Sequence, residues 1–135
     1  MKMFYHSIKN GQSLVEMALL LPVLLLLSVV AIDFGRGVYY YSAIYNAARE
    51  GARYGIIHPD DISGIQNKAI DMAVGVHLDS GDVTVTPDPP SLSIPTIQVN
   101  IEYCFDLVTP MAKIFTESAC GDIILRTSST MNIER

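Results

Sequence analysis

An uninterrupted apolar run near the N-terminus constrains this chain more than any other feature. Counted from Leu14 to Ile32, the run is 19 residues long, and Glu16 is its only charged residue. At about 1.5 Å per residue these residues make roughly 28 Å of α-helix, against a bilayer core of about 30 Å. The run therefore predicts one membrane-spanning helix over residues 14–32.

The charges on the two sides of the run predict its orientation. Lys2 and Lys9 precede it, so the positive-inside rule places the N-terminus in the cytoplasm and everything after Asp33 in the periplasm. We therefore expect a single-pass protein of the bacterial inner membrane. The chain as a whole carries a net charge of −5. This acidic balance argues against nucleic-acid binding, which needs a basic surface to neutralise phosphates.

Three kinds of segment could account for the apolar run. A secretory signal peptide would use the small residues at 29–31 for cleavage, but the run is longer than a usual signal core and contains a glutamate. An uncleaved membrane anchor explains the length but not Glu16. A prepilin signal is cut before the run, after Gly11, so that the run stays with the mature protein.

Glu16 favours the prepilin interpretation. A carboxylate in hydrocarbon is costly unless it is paired, although a residue near the end of a span can also lie at headgroup level. Cleavage after Gly11 would free an α-amino group on Gln12 and make Glu16 the fifth residue of the mature chain. The amine of one subunit could then pair with the carboxylate of its neighbour, which offsets the desolvation of both and fixes the register between parallel helices.

The helix is predicted to continue beyond the membrane, from about Ser13 to Ile57, because Pro59 is the first strong stop signal. Its second half has apolar or aromatic residues three or four apart, the spacing of one helical face. We expect this face to pack on a small domain. It consists of Phe34, Val38, Tyr41, Tyr45, Ala48, Ala52 and Ile56. The glycines at 35, 37, 51 and 55 suit the close approach of another helix.

The remainder, residues 58–135, predicts a small α+β head. Pro59, Asp60 and Asp61 are predicted to open a second helix, with the two acids in its first turn, where the helix dipole favours them. The apolar face of this helix comprises Ile62, Ile65, Ala69, Met72 and Val76. Strict alternation over 97–105 predicts a long strand with one buried face, and shorter signals predict strands at 83–85 and from about Asp122. We expect a three-stranded antiparallel sheet whose apolar face packs on both helices. A proline-rich loop, PDPPSLSIP, separates the first two strands.

The two cysteines fall at the ends of the predicted second hairpin. Cys104 ends the second strand and Cys120 precedes the third. A disulfide between them would close a loop of about sixteen residues and contribute roughly 3 kcal/mol. Two free buried thiols are the alternative, and the pair fits no metal-binding spacing.

The sequence contains no recognisable catalytic constellation. His6, His58 and His77 are scattered, and no nucleophile elbow, zinc-protease motif or phosphate loop is present. We therefore expect a protein that is not an enzyme and that has no catalytic residues, cofactor, metal site or small-molecule substrate.

Three blocks together closely resemble the TadE-like family of the tight-adherence (Flp) pilus system. They are GQSLVEMALLLPVLLLL at 11–27, IDFGRG at 32–37 and NAAREGARYG at 46–55. The resemblance implies a minor pseudopilin with a leader at 1–11, a long helix at 12–57 and a head at 58–135. It also implies that Gly11 precedes the cut, that Gln12 becomes the N-terminus, and that Glu16 is the assembly glutamate. The head is too large for a typical Flp major pilin.

The resemblance also implies the partners. They would be a prepilin peptidase, the Flp pilin, other pseudopilins, the inner-membrane assembly platform and membrane lipid. The role would be in pilus assembly for adhesion, surface attachment or secretion, with possible incorporation into the fibre. The alternative is an uncleaved bitopic inner-membrane protein whose periplasmic head binds another component of the same apparatus.

Overall fold

The structure is a computed structural model that describes residues 7–87, 96–109, 120–121 and 123–133, with the backbone alone for 7–10 and for Pro87. Most of the predicted proline-rich loop and most of the loop before the third strand lie outside the described residues. So do residues 1–6 of the predicted leader and Asp122, the predicted start of the third strand.

A single helix, α1, runs over Ser7–Ile57 and accounts for 51 residues. It begins earlier than the predicted start near Ser13, since no residue between Ser7 and Gly11 is a proline or provides a stop. It ends at Ile57, the predicted end, two residues before Pro59. Pro22 lies within it.

The second helix, α2, covers Ile62–Met72. Asp61 is its N-cap, and the Asp61 side chain accepts a hydrogen bond of 2.9 Å from the backbone N–H of Gly64. Asp60 and Asp61 therefore precede the helix and do not lie in its first turn as predicted. Asp61 acts as a cap instead, because its side chain satisfies one of the free N–H groups of the helix. Ile65 and Ala69 are buried as predicted, whereas Ile62 and Met72 are exposed. Val76 is buried, but it lies beyond the end of the helix.

Three strands form an antiparallel meander in the order β1-β2-β3: β1 is Val83–Pro87, β2 is Thr96–Phe105 and β3 is Ile123–Asn132. The central strand pairs Val83 with Ile101 on one side and Phe105 with Ile123 on the other. Alternate residues of β2 are buried, which confirms the predicted apolar face. Those buried residues are Ile97, Val99, Ile101 and Phe105.

The core lies between this face of the sheet and the two helices. Helix α1 contributes Ile44 and three alanines, α2 contributes Ile65 and Ala69, and the sheet contributes the β2 side chains. The α+β fold predicted from the sequence is thus confirmed. The membrane-proximal part of α1, before Asp33, extends away from this core.

The predicted apolar face of α1 is largely wrong, because only two of its seven residues are buried and Ile56 is half-buried. Ala48 and Ala52 are buried, but Phe34 is 75% exposed and Val38, Tyr41 and Tyr45 are exposed as well. The face that packs on the head is rotated toward the smaller residues. It comprises Asp33, Ile44, Ala47, Ala48, Gly51, Ala52 and Gly55. Small side chains predominate on this face because they let α1 approach α2 and the sheet closely.

Candidate functional site and its junction with the head

The predicted membrane-spanning segment of α1 has exposed side chains on every side. All residues from Gly11 to Ser28 are exposed, and no part of the described chain packs on them. One N-terminal helix of this length and apolarity is consistent with a single-pass membrane protein. A helix that is apolar all round needs lipid or other helices around it, because water would solvate it poorly.

The predicted cleavage and assembly residues lie at the start of this segment. Gly11, Gln12 and Glu16 are all helical and exposed. Gln12 and Glu16 are four residues apart, so they lie on one face of the helix. Within the described part of the chain, no side chain forms a salt bridge or hydrogen bond with Glu16. The carboxylate is therefore available to a group outside this subunit.

A second polar site lies where the helix leaves the apolar run. Asp33 is 3% exposed. One carboxylate oxygen, Oδ2, accepts a hydrogen bond of 2.8 Å from the Thr109 N–H and a second bond from the Thr109 hydroxyl. The other, Oδ1, accepts from the Val108 N–H at 3.0 Å and from Arg36 Nη1 at 3.2 Å. Asp33 thus ties the end of the span to the segment after β2.

Arg36 completes the junction. Its guanidinium lies 5.2 Å from the centre of the Phe105 ring and 5.7 Å from that of Tyr40, in the range of cation–π contacts. The two rings meet edge to face at 5.4 Å. Arg36 therefore connects the Asp33 carboxylate to the end of β2.

This junction was not predicted from the sequence, in which Asp33 only marks the end of the apolar run. A signal was present, because Arg36 follows Asp33 at the i,i+3 spacing that brings opposite charges together on a helix. The partner segment at 108–109 could not be identified from any local pattern.

The hydrogen bonds to Asp33 give head stability a pH dependence. The bond from the Thr109 hydroxyl, followed by that from the Val108 N–H, lowers the pKa of Asp33 below its ordinary value of 3.8. The stabilisation by a carboxylate with a lowered pKa is fully present above the unfolded-state pKa and is lost as the pH falls through the folded-state pKa.

We predict that Asp33→Asn lowers the melting temperature of the full chain by several degrees at neutral pH. The amide keeps one acceptor but turns an NH₂ donor toward the N–H groups of Val108 or Thr109. The difference from the native chain should shrink as the pH falls below 3.8. Thermal melts of detergent-solubilised protein across this range are the measurement, with Asp60→Asn at an exposed acid as control. A difference that stays constant in acid would contradict the role given to the carboxylate.

The two cysteines lie at the same end of the head as the segment that binds Asp33. Their Cα atoms are 5.5 Å apart and their sulfur atoms lie at bonding distance, a Cα separation usual for a disulfide. The redox state of the pair in the cell stays a prediction.

An apolar groove opens between α1 and the sheet above the end of the span. Its volume is about 570 Å³. The helix side of the groove is lined by Val30, Phe34, Val38 and Tyr41, and the sheet side by Phe105, Leu107, Ile123 and Leu125. The groove therefore begins within the apolar run and continues to the base of the sheet.

Comparison with known proteins finds a family that matches most of helix α1. The family model described as TadE-like protein matches residues 11–53. No curated protein and no solved structure was found to match the chain. The matched segment contains Gly11, Glu16, Asp33 and Arg36, whereas Val108 and Thr109, which bind Asp33, lie outside it. Over residues 11–53 the chain is therefore similar to TadE-like proteins, which confirms the resemblance and supports a protein associated with the Tad pilus.

Proposed function

We propose that this chain is a minor pseudopilin that takes part in the assembly of a Flp (tight-adherence) pilus. In this proposal a prepilin peptidase cuts after Gly11, and the mature chain is held in the bacterial inner membrane with its head in the periplasm. Its partners are the Flp pilin, other pseudopilins and the inner-membrane assembly platform. It acts by binding and not by catalysis.

One observation carries the proposal. Glu16 is an exposed carboxylate at the start of an apolar segment that the described residues leave uncovered, and it lies within the residues that match the TadE-like family. A charge in this position needs a partner from another molecule. The α-amino group of Gln12 on a neighbouring subunit is such a partner, and it exists only after cleavage.

A second candidate is the uncleaved bitopic protein whose head binds another component of the apparatus. One feature favours it. Helix α1 runs from Ser7 through the Gly11–Gln12 bond without a break. A protease that grips extended backbone must first unwind this turn, and Gly11 lowers the cost of doing so because glycine is a poor helix former.

The mature N-terminus separates the two candidates. We predict that protein purified from its native envelope begins at Gln12. We also predict that Gly11→Trp leaves only the uncut precursor, because a large side chain blocks the approach of the protease to the backbone. N-terminal sequencing and intact-mass measurement of the membrane fraction are the tests.

Gly11→Ala is the matched control, since it adds one methyl group and should still be cut. Functional native protein that keeps residues 1–11 would rule out the pseudopilin proposal in favour of the uncleaved protein.

A further inference from the structure

The hydrogen bonds of Asp33 fix how far the head lies from the membrane. Asp33 is the first residue after the apolar run. Val108 and Thr109 donate to its carboxylate at 3.0 and 2.8 Å. Their backbone is therefore held at the level where the helix leaves the hydrocarbon, with no spacer between span and head.

Several of the described residues at this end of the head are apolar and exposed. Val108 is 63% exposed, and Ile123 and Ile124 at the start of β3 are exposed too. Ile123 pairs with Phe105, which lies against Arg36 one turn above Asp33. Together with Leu107, these residues form what we call the foot of the head: Leu107, Val108, Ile123 and Ile124.

The foot is continuous with the lipid-facing surface of the span. The groove between α1 and the sheet joins Val30 and Phe34 on the helix to Leu107 and Ile123 on the foot. An apolar surface of this kind is unfavourable in water. The Asp33 carboxylate within this surface does not oppose contact with lipid, because it is buried and already hydrogen-bonded.

We propose that the foot of the head rests in the boundary between lipid headgroups and acyl chains. The occupant of this surface is thus the bilayer itself, and the contact describes the subunit while it is held in the membrane. Lipid contact would restrict the tilt of the head about the end of the span. The inference depends on membrane insertion of α1 and not on a role in a pilus.

Tryptophan fluorescence tests this contact directly, since the chain has no tryptophan of its own. Val108→Trp places a reporter on the foot, where the exposed side chain leaves room for it. Ile57→Trp is the matched control, because Ile57 is 71% exposed and lies 24 residues beyond Asp33 on the same helix, about 36 Å away. Leu24→Trp reports insertion of the span.

Each full-length variant is reconstituted in phosphatidylcholine vesicles that contain lipid with a nitroxide on the headgroup. We expect the Val108→Trp protein to lose most of its emission and to shift to the blue, and the Ile57→Trp protein to keep nearly all of its emission. Ile124→Trp provides a second reporter on the foot and should behave like Val108→Trp. The Leu24→Trp protein should instead be quenched by a nitroxide deep in the acyl chain.

Equal emission from the foot and Ile57 reporters, with Leu24→Trp quenched, would overturn the proposal. An unquenched Leu24→Trp would overturn it too, because the span would then lie outside the bilayer. If quenching of the foot grows only as the protein is diluted with lipid, a second copy covers the foot and the lipid contact is wrong. No peptidase or pilin is present, so these results are independent of the proposed role in assembly.

Discussion

Gly51→Leu should lower the free energy of unfolding of the head by at least about 2 kcal/mol, within the range expected for overpacking a core. A Cβ atom at Gly51 would lie 3.0 Å from the Ala69 Cβ and 3.4 Å from the Ile65 carbonyl oxygen. The first contact is closer than normal packing allows, and Ala69 has no rotamer change that could relieve it. The remaining carbons of leucine would force α2 away from α1.

Gly35 provides the matched control for this change. A Cβ atom there would meet no atom of the described chain within 4 Å. Gly35→Leu should leave the head intact and could add up to about 0.8 kcal/mol through helix propensity. Near-ultraviolet circular dichroism of the packed tyrosines, followed through urea titration in detergent, measures both variants. Equal stability of the two would show that the helices are not closely packed at Gly51.

Glu16→Ala should abolish or severely reduce pilus assembly while cleavage after Gly11 continues. The change removes the charge that would pair with the Gln12 amine of a neighbour and leaves the residues at the cut unaltered. Glu16→Gln should have the same effect, because it keeps the size of the side chain and removes only its charge. Sheared fibres and the mature N-terminus are measured in the same cells.

Glu50→Ala is the control for Glu16, since it removes a carboxylate from the same helix but beyond the apolar run, in the part that packs on the head. It should leave assembly close to the native level. If cells with Glu16→Ala assemble pili normally, the amine–carboxylate pairing is wrong, whether or not the leader is removed.

The elements of the fold could be predicted because their signals are local. Alternation over β2 gave its buried face, and Pro59 gave the end of α1. The packing face of α1 was wrong because large residues were assumed to be buried, whereas Phe34 and Val38 are exposed and Gly51 and Ala52 are buried. Burial on this helix depends on how closely its neighbours approach, and that distance cannot be predicted from the spacing of apolar residues.

The residues of the site also differ in whether the sequence alone could identify them. Glu16 could be identified from the chain alone, because a charge in an apolar run is anomalous wherever the rest of the molecule lies. Asp33 could not, since its role depends on Val108 and Thr109, which are more than seventy positions away in sequence. No helical or strand period links residues at that separation. Tertiary contacts of this kind are accessible only once the strands have been placed.

The unbroken course of α1 has a mechanical consequence. A helix of 51 residues is about 76 Å long, and beyond Pro22 it contains no proline that would act as a hinge. The upper part of this rod is fixed to the sheet and α2, and Asp33 clamps its midpoint to the segment after β2. With its apolar end in lipid, as proposed, the helix would transmit a pull on that end to the outer domain without slack, and withdrawal of the helix from lipid would lift the whole domain by the same distance.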